Sequence, residues 1–540
     1  MSFFSRRQQP VQPVQPVQPV PAVPSLSAVP SLPQPSPSTD ALERVRLAVA
    51  GARARDGGAL EELTAALMEV GSAGQLADSL EALRALTRHP ELLLRLDASI
   101  RRESWYARRP DPSPTEDDPV ALALAASHGN GRARERAVQR ILHEPHPELM
   151  PFLVLRTSDW VRQVRGAACA GLAVLLHENP RLTTPTTVRT ALLVNRRRHG
   201  AFAHGQLISP LLDASDTALR GALLTAPEPA VRRFVLDTVA HRLGLRDLAA
   251  LAESDPDRQV RARAAEAAAR QAVWSDQAEL LRRLARSRHA EVRITALTGL
   301  MRTGSPQEVV PFLDDSSALV RALAREAARR TGTDARAYYR AAVQSAEPPV
   351  GAVAGLAETG GRADGPQLTA LLDHPSAQVR VQALRALRSL DAVPVPRVTA
   401  LLGDGSGAVV REAAAALAPS ATQLPADLLW DMLADPQRPA VRRAGYRLLN
   451  RRDRPTALRA ALLVSGDPHP RLAARGRTDA TTRIRALAPH RWRTRPVTPL
   501  DADPAQAAEL LALAERHRTE LTDDVVQLLH DALGPAPAGR

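Results

Sequence analysis

A Val-Arg pair returns about every thirty residues through the middle of this chain, and no other feature restricts its fold as much. The valine stands at 231, 260, 292, 320, 350, 379, 410 and 441, in steps of 29, 32, 28, 30, 29, 31 and 31 residues. Val164 precedes the series, Ala133 lies 31 residues before it, and a degenerate copy stands at Leu472 after Asp467-Pro468. Each copy has the same parts: an apolar run, a turn with Asp and often Pro, the Val-Arg pair, and an Ala/Leu-rich stretch. Residues 248–270, LAALAESDPDRQVRARAAEAAAR, show all of them. We count about eleven units, with one or two irregular ones between Val164 and Val231.

A unit of this length holds two helices of roughly ten to twelve residues and two short turns. The turn Asp is expected to cap free N–H groups of the second helix, with Pro at the first helical position. The valine then faces inward, and Ala and Leu three, four and seven residues on extend the same apolar stripe. One such pair cannot hide its apolar face, whereas stacked pairs can. The pattern therefore predicts an all-α chain, an α-solenoid of about eleven helix pairs with helical caps. At roughly 8–10 Å between packed helices the array would be roughly 100 Å long.

Composition agrees. Hydrophobic residues make up 44% and aromatics only 3%, so the core must come from Ala, Leu and Val, which suits closely packed helices. All 71 basic residues are Arg, which with the heavy Ala and Pro use reads as a high-GC, actinobacterial-like coding bias. The absence of Lys excludes Schiff-base and P-loop chemistry within this chain. The net charge of +13 is modest when spread over a long array, and reads first as a solvated basic surface. A single cysteine, Cys169, permits no disulfide framework and fits a reducing cytoplasm. No run of eighteen apolar residues and no secretory signal stand out, so a cytoplasmic protein without a transmembrane segment is expected.

The array is expected over 120–480. Residues 1–39, with Gln-Pro-Val repeated from Gln9 to Val20, read as a disordered Pro-rich N-terminal arm that favours polyproline II. Residues 40–109 read as an N-terminal helical cap, 110–119 with four prolines as a linker loop, and 481–540 as a C-terminal helical cap that ends in a helix pair from Ala505 to Leu533.

The unit, D-P-x-x-x-V-R-x-x-A-x-x-A-L, resembles the HEAT-like repeat, in particular the short form of the phycobilin-lyase group. The resemblance covers roughly residues 120–480. It implies an interaction scaffold more often than an enzyme. It also implies a ladder in which repeated Asp and Arg bond between adjacent repeats: Asp255 with Arg261, Asp315 with Arg321, Asp373 with Arg380, Asp404 with Arg411, and Asp435 with Arg442. Arg165, Arg232 and Arg293 take the same slot. The copy at Val350 departs, because Gly351 replaces Arg and Gly355, Gly360, Gly361 and Gly365 follow. A weakened seam is expected there.

HEAT-like enzymes set three tests. Deoxyhypusine hydroxylases are similar in repeat and bind two irons through His-Glu pairs just after the repeated Arg. Here that slot holds Gly166, Ala262, Ile294, Ala322, Val381 and Glu412, and the His-Glu pairs, His143-Glu144 and His177-Glu178, lie at helix ends. Phycobilin lyases are similar in repeat type, yet no bilin-handling signature matches. HEAT-like alkylpurine DNA glycosylases place Trp and Asp at the lesion, whereas Trp105, Trp160, Trp274, Trp430 and Trp492 are scattered here and read as packing residues. No catalytic, metal-binding or cofactor-binding residue is expected, and no cofactor.

Three local clusters are the candidate partner or anion sites: Arg101, Arg102, Trp105, Arg108 and Arg109; Arg196, Arg197 and Arg198 beside His199; and Arg483 and Arg485 with His490, Arg491, Trp492, Arg493 and Arg495. Their guanidinium forks match phosphate or carboxylate oxygens. The expected function is a non-catalytic scaffold that binds a macromolecule, foremost a protein of unknown identity. The alternative is a nucleic-acid backbone, held by these Arg clusters in a salt-sensitive way.

Overall fold

The computed structural model describes residues 37–56, 58–107, 117–213, 216–487 and 500–533. The Pro-rich arm thus lies almost wholly outside the described residues, as does most of the linker loop. Among the described residues every regular element is an α-helix or a short 3-10 turn, and none is a strand. The chain divides into two compact units, residues 1–238 and 239–540.

The first unit opens with helices Pro37–Ala54, Ala59–Ser72, Leu76–Thr87 and Pro90–Ala107. Helix pairs follow, among them Pro119–Ala126 with Gly131–His143 and Met150–Arg156 with Arg162–Glu178. The stretch between Val164 and Val231, read as irregular, holds the broken helices Ala201–Gln206 and Ile208–Leu212.

In the second unit the second helices of successive pairs pack on one another as a layer: Arg258–Trp274 on Ala290–Arg302, then Ala318–Thr331, Val350–Thr359, Ala377–Ser389, Gly407–Leu417 and Pro439–Leu449 in turn. Several first helices are shorter than expected, although Leu245–Ser254 and Arg454–Val464 have the expected length. One is a 3-10 segment, Val310–Asp314, and two, Gly365–Ala370 and Val395–Ala400, are finished by 3-10 turns. A continuous core runs from Leu313 to Ala532, where helices Pro504–Arg516 and Asp523–Leu533 close the unit.

The repeat valines point inward in both units, and Val379, Val409, Val410 and Val441 belong to that core. Val164, Val231, Val260, Val292 and Val320 are fully buried, and Val379 and Val441 nearly so. Two copies differ from the sequence reading. Counted from the turn Asp, the buried valine comes five residues on, as in Asp255 to Val260 and Asp315 to Val320; from Asp404 it is Val409, not Val410. Val410 fills the arginine slot and is also buried, which turns Arg411 outward. At the other copy Val350 is 38% exposed, and Gly351, Ala352 and Val353 are buried instead. A Cβ on Gly351 would stand 1.8 Å from the Asp314 carbonyl oxygen, and one on Gly355 would stand 2.2 Å from Cε1 of buried Tyr339. These glycines make a close approach possible, where a loosened seam was expected.

The turn aspartates also act differently from the simple cap expected. The helix after Asp255 begins at Arg258, and its cap is Asp257, whose carboxylate accepts from the N–H groups of Gln259 and Val260. Pro256 sits in the turn, before the helix. Asp255 instead accepts from the N–H two residues on, and Asp315, Asp404 and Asp467 do the same.

Candidate interaction surfaces

Two populations of arginine follow from this geometry. In the first, the repeat arginine folds back on its own turn and reaches forward to the next repeat. Arg293 donates Nη1 to the Ser287 and Arg288 carbonyls at 2.9 and 3.1 Å, while Nε and Nη2 grip the Asp315 carboxylate at 2.8 and 2.6 Å. Arg442 repeats this with the Asp435 carbonyl at 2.9 Å and the Asp467 carboxylate at 2.7 and 3.0 Å. Arg380 holds the His374 and Pro375 carbonyls and Asp404. Arg261 and Arg321 hold the Asp255 and Asp315 carbonyls, and reach forward to Glu291 and Glu358. In the first unit Arg134 binds the His128 and Gly129 carbonyls and the Asp159 carboxylate; Arg165 binds the Asp159 carbonyl, and Arg232 the Ala226 and Pro227 carbonyls.

The partners expected within each copy are therefore replaced. Arg261, Arg321 and Arg442 take the backbone carbonyl of their own turn Asp, and the carboxylate they bind comes from the following repeat. The reason is reach: an arginine six or, at Arg442, seven residues after the turn Asp, in the first turn of a helix, meets the carbonyl, while the Asp side chain is occupied by the N–H two residues on. Asp373 lies outside the ladder, because His374 takes its place; it is exposed and pairs with Arg397. Arg411 is likewise outside, exposed beside Glu412.

Burial works to raise the pKa of Asp467, but the Arg442 fork and the His469 N–H outweigh it and hold the carboxyl below the usual range. Asp364 is an off-ladder example: it is 2% exposed and accepts from Arg340 at 2.7 Å, Arg336 at 2.9 Å and the Gly361 N–H at 2.9 Å. Against the effect of burial these bonds hold its pKa at about 2. A depressed carboxyl stabilises the fold above its ordinary value and stops doing so as pH falls through the folded value. Asp364→Asn is thus expected to cost on the order of 1–2 kcal/mol at pH 7, after allowance for half-exposed arginines, and almost nothing near pH 2. Urea melts across that range check it.

The clusters singled out in the sequence are partly brought together. Arg101 pairs with Asp97 at 2.5 Å and lies 4.4 Å from the centre of the Trp160 ring, over which Arg134 also sits at 4.5 Å. Arg197 donates to the Ser158 hydroxyl at 3.4 Å; against the effect of burial, the charges of Arg156 and Arg101, with a smaller share from Arg197, hold Asp97 below the usual carboxylate range. Arg102, Arg196 and Arg198 are not buried. The Trp105 side chain, Arg108 and Arg109 lie outside the described residues, as do His490, Arg491, Trp492, Arg493 and Arg495. Arg483 donates to Asn450, and Arg485 lies near Asp524. The tryptophans are not all packing residues: Trp160 is 58% and Trp274 87% exposed.

The second population went unrecognised in the sequence. Arg411, Arg443, Arg447, Arg451, Arg471 and Arg475 line one groove of about 590 Å³ across the second helices Gly407–Leu417, Pro439–Leu449 and Pro470–Arg485. All six are exposed. Asp479 is the one carboxylate in the lining, and it is bonded to Arg475 and to the hydroxyl of buried Tyr446. Among the described residues Arg443, Arg447, Arg451 and Arg471 make no ion pair. The available signal was spacing: 443, 447 and 451, and 471 and 475, recur at the four-residue interval that places side chains on one helix face.

Residues 245–331 and 365–450 match the family model described as HEAT repeats. These two segments carry HEAT repeats. No curated protein matches the sequence. Among solved structures, the karyopherin Kap121p bound to the extreme C-terminus of the protein phosphatase Cdc14p is similar at 13% identity and a TM-score of 0.24. That match covers 92% of this chain and 55% of the other, so this chain spans about half its length. Importin beta, in an ammonium sulfate condition, is similar at 11% identity and a TM-score of 0.29, over 92% and 67% of the two chains. At such scores neither likeness bears on what the HEAT repeats here bind. Among the described residues no helix is long and apolar enough to cross a membrane, and no group of three or more His, Cys, Asp or Glu side chains is placed to hold a metal ion.

Proposed function

We propose that this chain is a non-catalytic scaffold that carries a protein partner on the second-helix face of its HEAT repeats, in the cytoplasm. We read the repeat as the short, phycobilin-lyase-type form, on its period of about thirty residues. The observation that carries the protein reading is the charge mosaic of the 239–540 unit. A nucleic-acid backbone is served by a continuous basic track. On the second helices Arg258–Trp274, Ala318–Thr331 and Ala377–Ser389, arginines are neutralised by neighbouring carboxylates: Arg270 by Glu266, Arg329 and Arg330 by Glu326, and Arg385 by Glu412 of the following repeat. Leu319 and Trp274 stand exposed as well, as suits a surface of mixed polarity.

The test is affinity capture with the full chain, from lysate treated with nuclease, across a salt series. Protein partners are expected to be retained after nuclease at physiological salt. Their disappearance on nuclease treatment would overturn the reading in favour of nucleic acid.

A further inference from the structure

We infer that the arginine groove between Gly407 and Asp479 is the docking site for an acidic, extended segment of a protein partner, with carboxylates at every second position. The inference deepens the scaffold reading and rests on it. Its first support is charge. Six arginines face one carboxylate there, and that carboxylate is already bonded. Elsewhere on this face acidic side chains cancel such charge; here Asp479 is the one carboxylate in the lining, and among the described residues four of the guanidiniums make no ion pair. Guanidinium forks are weakly hydrated and pair with carboxylates two bonds at a time.

The second support is spacing. Arg443 and Arg447 are one turn apart on the helix Pro439–Leu449, and Arg451 follows just past its end. Four residues of helix rise about 6 Å. Alternate side chains of an extended strand repeat every ~6.6–6.8 Å. An extended segment laid along this helix therefore presents successive acids to successive arginines, with Arg411 on one bank and Arg471 and Arg475 on the other.

The third support separates a peptide from a nucleic acid. Bases bound by a single-strand groove stack on exposed rings. The lining's aromatic residue, Tyr446, is 5% exposed and its hydroxyl is bound to Asp479 at 2.8 Å, so it offers no face. The basic patch also stops at Glu412, which is bonded to Arg385 from the preceding repeat, too soon for a polyanion that tracks the array.

The experiment is fluorescence anisotropy on the full chain with four labelled probes: a peptide of alternating Glu and Ser, its Gln-Ser counterpart, and a single-stranded and a duplex oligonucleotide. The variants are R443Q/R447Q, at exposed positions where a shorter neutral side chain leaves the core untouched, and R329Q/R330Q, whose arginines are already neutralised. The Glu-Ser peptide is expected to bind, to weaken with salt, and to lose roughly tenfold in affinity in R443Q/R447Q while staying within about twofold in R329Q/R330Q. The Gln-Ser peptide is expected not to bind. Failure of the Glu-Ser peptide to bind, or equal binding to both variants, overturns the inference. Tighter oligonucleotide binding that is lost in R443Q/R447Q overturns it in favour of a nucleic-acid site. Protein partners that survive nuclease and are still captured by R443Q/R447Q sink the groove while leaving the scaffold reading intact.

Discussion

Replacing Gly351 with arginine, which restores the Val-Arg signature to a copy that lacks it, is expected to destabilise the 239–540 unit by about 3 kcal/mol or more. Consensus substitutions in repeat proteins usually stabilise, by roughly 0.5–2 kcal/mol. The opposite sign here follows from position. Gly351 is buried, and its missing Cβ would stand 1.8 Å from the Asp314 carbonyl oxygen and 2.8 Å from that of Asp315. The obstacle is backbone, which cannot rotate away as a side chain can. Helix Val350–Thr359 would have to move outward, and Tyr339, fully buried against Gly355 with its hydroxyl on the Leu313 carbonyl at 2.9 Å, would lose its seat. A long cation would also enter beside the Asp315 carbonyl, which Arg321 already holds. Gly351→Ala isolates the steric part, and about 1–3 kcal/mol is expected for it. Urea unfolding, with amide exchange read over 310–314 and 350–359, measures both. A neutral or stabilising Gly351→Arg would show that this helix slides freely, against the close approach described above.

Arg134→Met is expected to cost the 1–238 unit about 3–5 kcal/mol. Arg134 and Asp159 are both fully buried in their side chains and joined by two bonds of 2.9 Å. Removing the cation strips the His128 and Gly129 carbonyls of their donor and leaves Asp159 to a longer contact with Arg156, at 3.4 Å. The stranded charge, more than the lost attraction, sets the size of the effect. Arg134→Met/Asp159→Leu is therefore expected to recover part of it, since an apolar pair in place of a buried ion pair is often close to neutral. Unfolding monitored by exchange in helices Gly131–His143 and Arg162–Glu178 checks the comparison. A double variant no more stable than Arg134→Met would show that the carboxylate matters mainly through the Val161 N–H it holds at 2.9 Å.

The helix pairs and their inward valines were legible because burial imposes a period that a linear chain must display. Val260, Val292 and Val320 needed no coordinates. The register failed where an insertion or a substitution left the motif's letters in place: Val410 continues the spacing, yet Val409 is five residues from the turn and fills the anchor's place. The ladder was legible in kind and not in pairing. Arg261 and Asp255 are neighbours in sequence, but only the folded turn shows that the side chain meets the carbonyl while Glu291, thirty residues on, supplies the charge.

The groove marks the same limit from the functional side. Attention to adjacent arginines, such as Arg196, Arg197 and Arg198, favours charge that is dense along the chain; a binding surface needs charge that is dense in space. Arg411, Arg443 and Arg471 stand about one repeat apart and meet only because second helices stack side by side. Sequence alone determined that this chain is all-helical and built from repeated pairs, since periodic burial is a property each unit carries by itself. Which arginines are spent on carboxylates and which remain free was decided by tertiary structure, because a guanidinium's partner belongs to the next repeat, and only packing brings it within reach.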